Sequence, residues 1–174
     1  MEKPSSARIA LKWGLISAVI SIVINLVITL SNAKFSTLVS ILMLIVSIGI
    51  SATLLALAMR EYRSQNNGYL GYGEGLGLGT LLSAISGLVA GAFNFIYQKF
   101  IDPTIVERRL NEARDQMESQ GMEDGRIEQA MKVTTWMSEP GVQFVSAIFL
   151  SVLFGFLISL IVAAILRREK PVFE

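Results

Sequence analysis

Three side chains could do chemistry within an otherwise apolar chain. They are the carboxylate of Glu74, which adjoins a long uncharged stretch, and the amides of Asn25 and Asn94, which lie inside two such stretches. A carboxylate at the edge of an apolar helix has two readings. It can favour the helix N-terminus through the dipole or pair with Arg60 or Arg63, or it can be a protonatable or ion-binding group at a pore mouth. Asn25 and Asn94 either hydrogen-bond between helices, at about 0.6 to 2 kcal/mol each, or line a solute path. One carboxylate without a deeper partner makes a poor proton relay. The chain has no cysteine and no histidine, which removes thiol nucleophiles, disulfides, histidine bases and the usual zinc sites. No catalytic, metal-binding or cofactor-binding set emerges, so the expectation is a non-enzyme without a cofactor.

Nine of the fourteen acidic residues lie from Lys99 to Glu139, where they are mostly interleaved with arginine and lysine as on a solvated helix surface. "MEDGRIE" there has too few correctly spaced oxygens for a calcium loop. The glycine-rich run "GYGEGLGLGTLLSAISGLVAG", Gly71 to Gly91, invites a nucleotide-binding reading, but Gly73, Gly75 and Gly77 recur at spacing two instead of G-x-G-x-x-G, and no G-K-[ST] follows. Every fourth position instead gives Gly71, Gly75, Gly79, Ser83, Gly87 and Gly91, a small-xxx-small ridge that lets helices approach closely in a bilayer. A second ridge runs through Ala147, Ser151, Gly155, Ser159 and Ala163, and a more polar one through Ser17, Ser21, Asn25 and Thr29. The stretch between them, with Ser47 and Ser51, is expected to be the most lipid-exposed.

These ridges need long helices to carry them. Hydrophobic residues make up 52% of the 174 and charged residues only 17%, against about 25% in soluble domains. The charges leave four gaps: 21 residues between Lys12 and Lys34, 25 between Lys34 and Arg60, 24 between Glu74 and Lys99, and 27 between Glu139 and Arg167. At about 1.5 Å per residue each covers a hydrocarbon core of about 30 Å. The sequence thus predicts an all-α protein, a four-helix transmembrane bundle with spans near 9–30, 36–59, 74–99 and 141–166. The apolar run from Trp13 to Leu30 exceeds a signal-peptide core, so it is read as a retained first span despite "SNA" at Ser31 to Ala33. Arg60 to Glu74 reads as a polar, glycine-rich loop.

Residues 103–138 predict an extramembrane amphipathic helical hairpin. Asp102 and Pro103 suit a helix start; Val106, Leu110, Ala113 and Met117 form one stripe, Gly121 a stop, and Ile127, Ala130, Met131 and Thr134 a second stripe continuing to Trp136 and Met137. Trp136 is expected at headgroup level. Lys12, Arg60, Arg167 and Arg168 flank the membrane on the side of the termini against Lys34 and Lys99 on the other, which predicts cytoplasmic termini and an outward hairpin. The net charge of +1 is spread over helix ends, so no nucleic-acid partner is expected. The expected partners are the lipid bilayer and a second copy or another membrane protein.

The order of short motifs, "ALKWGL" from Ala10, "REYR" from Arg60, "YGEGLGLG" from Tyr72, "FIDPTIVE" from Phe100, "EPG" from Glu139 and "AAILRREKP" from Ala163, resembles the DUF4199 family of small integral membrane proteins from Bacteroidota. The resemblance implies a four-helix inner-membrane protein of unknown function and carries over no catalytic residue; Glu74 and Asp102-Pro103 coincide with recurrent features of the family. Two functions follow as expectations: a membrane interaction or assembly protein, or a subunit of an oligomeric solute or ion transporter using Glu74 and the intramembrane asparagines.

Overall fold

The computed structural model describes residues 4–31 and 36–169. Of the short Ser-Asn-Ala-Lys turn that the sequence suggests at Ser31 to Lys34, Ser31 is the last residue of the first helix, and Asn32 to Lys34, like the terminal Lys3 and Lys170, lie outside these residues. Among the described residues six α-helices follow one another: α1 (Ser6–Ser31), α2 (Thr37–Gln65), α3 (Tyr72–Ile96), α4 (Ile105–Ser119), α5 (Asp124–Met137) and α6 (Pro140–Leu166). A π-helical turn, Tyr97–Ile101, extends α3. Among the described residues there is no strand, only an isolated antiparallel bridge between Leu70 and Arg168. Four helices are long and apolar enough to cross a membrane: Ser6–Ser31, Leu38–Gln65, Tyr72–Ile101 and Pro140–Leu166.

The segment expected to leave the helix after Met59 does not: α2 continues through Gln65. Its extra turns carry Tyr62, which is buried, so tertiary packing outweighs the polar composition. The stop comes at Asn67 and Gly68, whose φ values of 55° and 84° lie in the left-handed region, and the Gly68 N–H donates to the Arg63 carbonyl at 2.8 Å. That is a Schellman closure with asparagine in the left-handed position.

The chain forms two compact units, Met1–Ala90 with Phe149–Glu174, and Gly91–Ile148. The core of the first gathers Ile9 and Ala10 of α1, Leu55, Ala58, Met59 and Tyr62 of α2, Leu70, Leu78 and Leu82 around α3, and Val162 and Ala163 of α6. The C-terminal half of α2 is therefore a core element. Only its first half, with Leu38, Ile41, Leu42, Leu44 and Ile45 all exposed, matches the expected lipid-facing helix.

In this unit the glycine ridge of α3 lies on the small ridge of α6 in antiparallel register. A Cβ added at Gly75 would stand 2.9 Å from the Ala163 Cβ, one at Gly79 would collide with the Ser159 side chain, and one at Gly155 with that of Ser83. Gly87 is buried on the same ridge. α1 meets α3 through Gly14, whose added Cβ would stand 2.9 Å from the Ile85 Cβ and from the Leu82 carbonyl oxygen. Ala10, Gly14 and Ala18 are all buried, so the close-packed face of α1 is this ridge and not the expected Ser17, Ser21, Asn25 and Thr29. Of that polar set, Ser17 bonds α3, accepting from the Ser86 hydroxyl at 3.1 Å.

In the second unit the same register recurs with Gly91, whose added Cβ would stand 3.6 Å from that of Ala147 and 3.2 Å from the Phe144 ring. α4 and α5 pack as a helix pair with Ile105 and Ile127 buried and Val106, Leu110, Ala113, Met117, Ala130, Met131 and Thr134 half-buried. α4 ends in a second Schellman closure: Gly121 has φ 71°, its N–H donates to Glu118, and Met122 donates to Met117. Trp136 and Met137 do not continue the packed stripe. Trp136 lies half a turn away from Ile127 and Met137 about 80° from it; they are exposed by 61% and 55% and form with Val133 a separate apolar row at i, i+3 and i+4 on α5.

Candidate functional site

The first unit holds two adjoining cavities, of about 240 and 140 Å³, which share Ser17, Ser21 and Ser51. The larger lies between α1 and α2 and adds Asn25 and Ser47; the smaller reaches α3 and α6 at Ser83, Ser86 and Ser151. No charged side chain lines either cavity. The polar face of α1 that does not pack on α3 thus becomes a cavity wall. It is completed by the serines of α2, which the sequence marked only as two weak small positions.

The hydroxyls of that wall are mostly committed as donors. Ser47 donates to the Met43 carbonyl at 2.8 Å, Ser51 to the Ser47 carbonyl at 2.9 Å, and Ser151 to the Ser83 carbonyl at 2.7 Å. Each serine oxygen has one proton and two lone pairs, so these groups turn acceptors towards the space they line. Ser83 and Ser86 are each only 7% exposed and sit at the inner end.

Beside this cavity, one polar cluster joins α1 to α2. Lys12 reaches both oxygens of Glu61 at 3.0 and 2.8 Å, the Trp13 indole N–H donates to Glu61 at 2.7 Å, and the ammonium lies 5.4 Å from the Trp13 ring centre. Sequence reasoning places Glu61 in a loop and so misses it. With α2 extended it stands at a helical position facing α1, and "KW" in one span with "REYR" in the next was the available signal.

Glu74 occupies the third position of α3, and its carboxylate accepts from the Gly71 backbone N–H at 3.1 Å. This is the carboxylate half of a capping box, made where the helix dipole favours an anion. The Tyr62 side chain also hydrogen-bonds Glu74. Arg63, instead of pairing with a carboxylate, donates to the Leu166 carbonyl of α6 at 3.5 Å, and Leu70 and Arg168 exchange both backbone hydrogen bonds at 2.9 Å. Glu74 is thus engaged at one end of the unit. It does not line the cavities, whereas Asn25 does.

Asn94 lies half-buried on α3 in the second unit. There the buried polar residue is Gln98, on the π-helical turn, which donates to Gln143 of α6 at 2.7 Å while Gln143 donates to the Ser138 carbonyl at 2.9 Å. The Gln98 carbonyl oxygen has no partner among the described residues. π turns often mark functional positions, but nothing in the sequence separates Gln98 from an ordinary polar residue at a span end. Asp102 closes this turn, and α4 starts two residues later than Asp102-Pro103 suggests. The Asp102 carboxylate holds the Thr104 hydroxyl at 2.8 Å and the Arg108 guanidinium. The Thr104 hydroxyl, then Arg108, hold that carboxyl below the usual carboxylate range. Pro103 is exposed in the intervening turn.

A family model described as protein of unknown function, DUF4199, matches residues 12–168, and the chain belongs to that family. No curated protein and no solved structure matches the chain.

Proposed function

We propose that this DUF4199 member is a non-enzymatic integral protein of a bacterial inner membrane that serves in the assembly or tethering of membrane complexes, with both termini cytoplasmic and the α4–α5 pair on the opposite face. The observation that carries this reading is the exposed line Val133, Trp136 and Met137 on α5, between 55% and 61% exposed, on a helix pair whose other apolar stripe is already packed. An aromatic and two aliphatic groups in one row outside the spans suit a headgroup layer or a partner surface. The charged groups that offer chemistry are engaged locally: Glu61 with Lys12 and Trp13, Asp102 with Arg108, and Arg114 with Glu118. Native mass spectrometry from gentle detergent tests the reading. A defined complex should survive in the wild type and be lost when Val133, Trp136 and Met137 are all changed to serine, with helicity unchanged. A monomer in both would overturn it.

The alternative, a subunit of an oligomeric small-solute transporter, gains support from the serine-lined cavities and from Asn25 on their wall. Its version using Glu74 gains none from the capping geometry. A flux in proteoliposomes that Asn25→Leu reduces, with Glu74→Gln unchanged, would favour it.

A further inference from the structure

We propose that the larger cavity of the first unit binds a small neutral solute bearing hydroxyl or amide groups. Three features converge on that chemistry. The walls carry no charge, and in a bilayer no bulk water screens a bound ion, so a neutral guest fits better than a charged one. The acceptor lone pairs of Ser47 and Ser51 remain after their protons are spent on backbone carbonyls, so the guest must donate. The guest must also accept. Asn25 offers an amide at the outer end.

Size narrows the class. A water takes about 30 Å³ in the liquid. The larger cavity of about 240 Å³ therefore has room for one molecule of a few non-hydrogen atoms, such as a short polyol or simple amide, and not for a nucleotide or a sugar dimer. Ser21, Asn25 and Ser47 on its outer edge are exposed, which gives such a molecule a way in between α1 and α2. The proposal stands apart from the assembly reading, since it uses the other unit and a different kind of partner.

The absence of cysteine makes the test clean. Single variants Ser47→Cys and Ser51→Cys, with Leu44→Cys on the exposed apolar face as control, are reacted in detergent with neutral methyl methanethiosulfonate. The thiolate forms a mixed disulfide and releases methanesulfinate. Because only the thiolate reacts and it forms only where water or polar groups reach it, both serine positions should react at least about tenfold faster than Leu44→Cys. Glycerol or acetamide, used as probes, should slow the two serine positions in a saturable way and leave Leu44→Cys unchanged. Equal rates at all three positions would overturn the proposal. Fast labelling that neither probe slows would also overturn it, by showing a cavity that holds water alone. Circular dichroism on each variant identifies any that has failed to fold, and two serine positions keep the test decisive if one is lost.

Discussion

The Ser159 hydroxyl is fully buried against Gly79 and has no hydrogen-bond partner among the described residues. An unpaired buried hydroxyl costs about 1–3 kcal/mol, so Ser159→Ala should leave the protein at least as stable as the wild type and raise its melting temperature in detergent. A clear fall in melting temperature would show that the hydroxyl is satisfied. Glu61 predicts the opposite sign. It receives two charged contacts from Lys12 and one from Trp13, so Glu61→Leu should lower stability by about 1.5–3 kcal/mol, while Glu61→Gln, which can still accept from the indole, should lose less. Asp102 gives a pH dependence. Its carboxyl is depressed by the Thr104 hydroxyl and by Arg108, so its contribution is complete above the ordinary carboxylate range and is lost as pH falls through the lowered value. The protection of amides at the start of α4, taken relative to their intrinsic exchange rate at each pH, should fall in acid, and Asp102→Asn should abolish that step.

At the scale of elements, neighbouring glycines of α3 have opposite roles. A Cβ at Gly77 meets nothing within 4 Å, whereas one at Gly79 collides with Ser159. Gly77→Ala should therefore stabilise by up to about 1 kcal/mol through helix propensity, and Gly79→Ala should destabilise by about 1–3 kcal/mol through overpacking. Thermal unfolding of the two variants checks the sign, and adding Ser159→Gly should rescue Gly79→Ala. The α3 and α6 ridges were legible because a period of four small residues is a local pattern. Ala10, Gly14 and Ala18 had the same period, but the serines beside them drew attention as the polar positions. Which of two adjoining faces of α1 packs depends on Leu82 and Ile85 of α3, and those are distant in sequence. Composition misled at Arg60 to Gln65, where the burial of Tyr62 keeps the helix going.

For the whole molecule, the proposed topology, with both termini cytoplasmic and the α4–α5 pair on the opposite face, has a direct test. Ser119 lies at the last position of α4 and is exposed. A Ser119→Cys variant, carrying the only thiol in the chain, should be labelled by an impermeant maleimide in intact spheroplasts; labelling only after lysis would reverse the orientation. Span number and the helix pair could be read from charge spacing and periodicity, since each is set within about 25 residues. The cavities could not, because Ser17, Ser51, Ser83 and Ser151 meet only when four separate helices converge.

The seam between α3 and α6 joins residues made far apart in time. Gly75 meets Ala163 and Gly79 meets Ser159, about eighty residues later in the chain. At a synthesis rate of about 5–20 residues per second, the glycine face of α3 waits roughly 4 to 16 seconds before its matching surface exists. During biogenesis that face is open to whatever else in the membrane can come close to a bare backbone, including α3 of a second nascent copy. Slowing elongation between Gly91 and Ala147 should therefore lower the yield of correctly assembled bundle.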